Sequence, residues 1–75
     1  MKQYRDKNTG MFTKPFYNLI LHDFPNFSLQ CVEKSFDETK LINSADNLNN
    51  LFLLNGRSKE LKAEVYLDDD CILIN

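Results

Sequence analysis

Apolar and polar positions divide the chain into segments of different period. Phe16–His22 (FYNLILH) is a short run rich in aromatic and branched residues and has strand length. Asp23-Phe24-Pro25-Asn26 follows with turn chemistry, because Pro fixes its own φ and Asn tolerates left-handed geometry. Phe27–Phe36 (FSLQCVEKSF) predicts a second strand whose alternation slips. Leu29 and Cys31 share one face, Val32, Lys34 and Phe36 fall on the other, and a bulge near Cys31-Val32 repairs the register. Asp37–Lys40 reads as a charged connection.

A helical period then takes over. Asn43 or Ser44 supplies an N-cap, and Asp46 lies in the first turn, where a negative charge suits the helix dipole. Leu48, Leu51 and Phe52 make one apolar face. Gly56 ends the helix in a left-handed cap. Lys59–Leu67 alternates cleanly, with Leu61, Ala63, Val65 and Leu67 on one side and Lys62, Glu64 and Tyr66 on the other. Asp68-Asp69-Asp70 is a polar turn, and the apolar run Cys71–Ile74 is expected to pair back on Lys59–Leu67 as a hairpin. The prediction is an α+β fold: a small antiparallel sheet of about four strands in the order β-β-α-β-β, with one helix on one face. Residues 16–75 form the domain, and residues 1–15 form a basic arm or a short hairpin turning at Asn8–Gly10.

Length limits the core. A chain of 75 residues allows one domain, which buries only about 60% of the surface that its unfolded chain exposes. An apolar fraction of 43% with 27% charged residues argues against disorder of the whole chain. Charge is uneven. Residues 1–14 carry a net +3 and residues 15–75 a net −5. This asymmetry is too weak for a generic nucleic-acid binder, which needs a basic stripe and a high pI. Cys31 and Cys71 are few for a secreted mini-domain, and no apolar run has the form of a signal peptide or a membrane span. The expectation is a cytoplasmic protein with two buried thiols, a Cys31–Cys71 bridge being the alternative.

Catalytic chemistry finds little support. His22 is the one histidine, and no local signature accompanies a nucleophilic dyad of it with Cys31. Cys31, Cys71 and His22 are too few and too scattered for a zinc site. The three adjacent aspartates lack the alternating ligands, the Gly and the distal Glu of a calcium loop. Two glycines rule out a Gly-rich dinucleotide loop. No catalytic residue, metal or cofactor is therefore expected, and a non-catalytic binding protein is. Two surfaces offer themselves. The wet side of the C-terminal hairpin carries Glu64, Tyr66, Asp68, Asp69 and Asp70, an exposed tyrosine among acids that suits a basic protein surface. The arm carries Lys2, Arg5, Lys7 and Lys14 with Tyr4 and Phe12 interleaved, a set able to contact phosphates and stack on bases. The apolar run Cys71–Ile74 also leaves room for a homodimer.

The segment Tyr4-Arg5-Asp6-Lys7-Asn8-Thr9-Gly10-Met11-Phe12-Thr13 resembles the R-D-x-x-T-G-R-F segments near the N-termini of many small phage and mobile-element proteins, with Met11 in place of their Arg. In size and character the chain is similar to small phage-encoded inhibitors of the anti-CRISPR kind. That likeness implies a protein partner with a basic, nucleic-acid-binding surface, which the inhibitor occupies. The alternatives are a nucleic-acid-binding accessory protein that uses the arm and a homo-oligomeric structural or regulatory subunit.

Overall fold

A computed structural model describes residues 2–75. Six strands and one helix follow in the order β1 (Tyr4–Asp6), β2 (Phe12–Thr13), β3 (Tyr17–Asp23), β4 (Ser28–Ser35), α1 (Glu38–Leu54), β5 (Leu61–Leu67) and β6 (Cys71–Leu73). They form two antiparallel three-stranded sheets, β4-β3-β5 and β2-β1-β6. The α+β class stands, with two more strands than expected and a second sheet.

The main sheet takes its register from its alternation. Leu19 faces Val65, Leu21 faces Ala63, and Tyr17 faces Leu67. On β4 the pairing jumps from Leu19↔Glu33 to Ile20↔Cys31, so Val32 is the extra residue of a bulge at the expected place. Helix α1 covers one face of this sheet. Leu19, Leu41, Ala45 and Ala63 make the buried cluster, flanked by Tyr17, Leu48, Phe52 and Val65.

The helix starts six residues before the expected cap at Asn43 or Ser44. Asp37 is the N-cap, its side chain accepting from the Lys40 N–H at 3.1 Å, and Glu38 sits in the first turn. The early start brings Leu41 into the core as its most buried residue. Leu51, expected on the apolar face, is instead exposed. Asn49 takes a place on the packed side. Its amide donates to the Ala63 C=O at 2.9 Å and accepts from the Ala63 N–H at 2.8 Å. At the C-terminus the Arg57 N–H bonds the Phe52 C=O and the Gly56 N–H bonds the Leu53 C=O, a Schellman motif closed by Gly56 at φ +70°.

The expected hairpin of Cys71–Ile74 on Lys59–Leu67 does not form. β6 pairs with β1 instead, Tyr4↔Leu73, Arg5↔Ile72 and Asp6↔Cys71. Two causes act together. The Asn49 amide occupies the outer edge of β5 at Ala63. Asp68 turns the chain away, its carboxylate accepting from the Asp70 N–H at 2.8 Å and its C=O from the Cys71 N–H at 2.9 Å. The N-terminal segment is the short hairpin rather than a loose arm. It turns through Gly10 at φ +71°, with the Asn8 N–H bonded to the Asp6 carboxylate at 2.8 Å.

The molecule is long and thin, 43 × 24 × 17 Å, with a radius of gyration of 14.3 Å against about 11 Å for a compact domain of its length. Both cysteines are free, Cys71 buried and Cys31 exposed, so the expected pair of buried thiols becomes one and the bridge is absent. Among the described residues no helix is long and apolar enough to cross a membrane.

Candidate partner-binding face

The helix covers only one side of the main sheet. Register places three cross-strand rows on the other side: Lys34, Asn18, Tyr66; then Cys31, Ile20, Glu64; then Leu29, His22, Lys62. Six of these nine, Asn18, Ile20, His22, Leu29, Cys31 and Tyr66, line an open concavity of about 750 Å³ that Leu67 and Asp69 complete. Tyr66 and Leu29 are exposed.

A hydrogen-bonded network organises this face. Lys62 Nζ lies 2.9 Å from one Glu64 oxygen, and the Tyr66 hydroxyl donates to the other. The single hydroxyl proton of Tyr66 is thereby committed, so the 3.1 Å contact between His22 Nε2 and the Tyr66 oxygen has His22 as donor. The Tyr66 bond, then Lys62, holds the Glu64 carboxyl below its ordinary range, and the same bond to Glu64 holds the Tyr66 phenol above its own. The imidazole meets the Tyr66 ring edge-on with centroids 5.9 Å apart and stacks on Phe24 at 6.0 Å.

The row of aromatics continues to the β3–β4 turn. Phe24 and Phe27 are both exposed there, Phe27 to 96%. Phe27 carries the positive φ, 52°, that Asn26 was expected to take. Asn26 instead uses its side chain, donating to the Asp23 carboxylate at 2.8 Å. A left-handed phenylalanine costs about 1–2 kcal/mol. A fully exposed one recovers nothing from burial, so this position is strained without reward to the fold.

The acidic set divides. Glu64 and Tyr66 belong to the network, Asp69 is exposed at the rim, and Asp70 accepts from Asn8 Nδ2 at 3.1 Å. Asp68 is buried, 5% exposed, and is not a contact residue. Burial pushes its carboxyl up. The Asp70 N–H, Asn18 and the Lys34 ammonium at 3.3 Å outweigh that and leave it below the ordinary carboxylate range. Lys34 is raised in return by its bond to Asp68.

His22 and Cys31 line the same concavity but do not pair. The thiol points to the Glu33 C=O at 3.7 Å while the imidazole is bonded toward β5. Among the described residues no cluster of three or more His, Cys, Asp or Glu is placed to hold a metal. The basic set also divides. Lys2, Tyr4, Phe12 and Lys14 line a second concavity, on the terminal sheet, that excludes Arg5 and Lys7. Sequence reasoning missed Ile20, Leu29, Phe24 and Phe27 as parts of a surface. The available signal was an aromatic on each side of Pro25-Asn26 in a turn that needs none.

Fold and face together define a small α+β domain with an uncovered, aromatic sheet surface. No protein family, no curated protein and no solved structure matches the chain.

Proposed function

We propose that this protein is a non-catalytic binding protein that docks on a protein partner through the uncovered face of β4-β3-β5. One observation carries the reading: an apolar and aromatic centre, Ile20, Leu29, Tyr66 and the Phe24–Phe27 tip, lies open beside an acidic rim at Asp69. Interfaces have this composition, an aromatic core with charge at the edge. The acidic rim favours a basic partner surface, such as that of a protein that handles nucleic acid. This is the mode of action that the likeness to phage-encoded inhibitors implies. With Glu64 and Asp68 each engaged by a lysine, the aromatic residues supply the affinity and the rim supplies orientation.

Affinity capture from the host lysate, with nuclease added, tests the reading. The baits are the wild-type chain, Tyr66→Ala, Phe27→Ser and the helix variant Leu54→Ser. A protein retained by the wild type and by Leu54→Ser, and lost by the two face variants, is the expected result. Identical recoveries on all four baits reject it.

A further inference from the structure

The terminal sheet carries a second concavity, about 440 Å³, lined by Lys2, Tyr4, Phe12 and Lys14 with Gln3, Thr13 and Pro15. We propose that it is a binding site for single-stranded nucleic acid. It rests on different residues from the docking face and stands or falls independently of it.

Three features carry the inference. The lining holds two lysines and no acid, although the protein as a whole is acidic at net −2. Cationic character is therefore concentrated where the rest of the surface opposes it. Phe12 is 76% exposed at the sheet edge, where it contributes little to the core, and its ring shares a sheet face with Arg5 and Ile72. An exposed ring beside cations is what a nucleic-acid strand requires, since a base stacks on the ring while phosphates meet the ammonium groups. Finally, the hairpin is anchored. Arg5 pairs with Phe12 on one side and with Ile72 on the other, so the strand that carries Phe12 is held in place before a ligand arrives. Bases in a duplex have their faces hidden by their neighbours, so a site built on stacking selects the single strand. An acidic peptide would satisfy the lysines but leave Phe12 without a planar partner.

Fluorescence anisotropy of a labelled oligothymidylate 12-mer with the full chain is the test. A 12-base-pair duplex and a polyglutamate peptide serve as competitors, and each variant's thermal melt is checked against the wild type. The 12-mer binds, and its affinity falls with salt at a logarithmic slope of about −1.4, the value for two phosphate contacts on a single strand. Phe12→Leu weakens binding about tenfold at unchanged slope, as loss of one stacked base requires. Lys14→Glu lowers the affinity and flattens the slope. The proposal is overturned by the absence of binding up to ~1 mM protein at low salt. It is equally overturned by full affinity in a folded Phe12→Leu variant, or by duplex or polyglutamate competing as well as the single strand.

Discussion

The two sheets are of similar strand number but differ in what holds them. The main sheet has a helix on one side and a buried cluster between, Leu19 and Leu41 being almost wholly removed from water. The terminal sheet has no helix of its own. Its backbone pairing is continuous, extended past the strands by Lys7 N–H to the Asp70 C=O at 2.7 Å and Ile74 N–H to the Gln3 C=O at 2.8 Å. Of its side chains only Cys71 is buried, while Phe12, Ile72, Leu73 and Ile74 stay exposed. Hydrogen bonds exchange with water at little net gain, whereas apolar burial does not. The first sheet is thus self-sustaining. The second depends on its joint to the first: the Asp68 N–H to the Phe16 C=O at 3.0 Å, the Lys34–Asp68 pair, and Phe16 edge-on to Phe36 at 5.8 Å.

This contrast can be broken most sharply in the core. Leu41→Ala costs about 3 kcal/mol, a large part of the stability of so small a domain, and lowers the melting temperature by about 15 °C. Ile72→Ala, on the exposed side of the terminal sheet, costs under about 1 kcal/mol. Equal losses in calorimetry would mean that the terminal sheet shares the core.

The joint comes next. Asp68→Asn removes charge-assisted bonds and costs about 1–3 kcal/mol. The amides of Tyr4–Asp6 and Cys71–Leu73 then exchange with deuterium faster, while those of β3 do not. Acid does the same in the wild type. The folded Asp68 carboxyl lies below its ordinary value. Its stabilisation is therefore complete above the unfolded value of about 4 and is lost as pH falls through the lowered folded value. Exchange in the terminal sheet should rise at acid pH before exchange in β3 does, and Asp68→Asn should abolish that acid-dependent step.

Smaller effects sharpen the picture on the main sheet. Asn49→Ala strips Ala63 of two bonds and costs about 1–2 kcal/mol. It also frees the edge of β5, so light scattering at rising concentration should show more association than in the wild type. Phe27→Asn relieves the left-handed strain and raises stability by about 1 kcal/mol in chemical denaturation. An unchanged midpoint would show that Phe27 makes contacts which offset its backbone. Gain of stability with loss of partner capture is the signature of a residue kept for binding rather than for folding.

Much of the main body was legible residue by residue. The alternation of Leu61 to Leu67, the slip at Val32 and the Gly56 stop are local signals, and each appears where it was read. The helix start was missed because Asp37 to Lys40 contains no apolar residue, although a capping aspartate followed by glutamate was present. The acidic turn was misread in part. Three identical neighbours gave no hint that Asp68 folds inward to meet Lys34 while Asp69 stays in water.

Sequence alone determined the local periods, the turns and the α+β class, because each depends on residues within a few positions of one another. Only the tertiary structure decided that the last strand joins the first, that Asn49 seals one sheet edge, and that apolar and aromatic residues scattered from Ile20 to Tyr66 share a surface with one another. Those outcomes come from competition between distant partners for the same hydrogen bonds and the same apolar cover. No single segment encodes which of them wins.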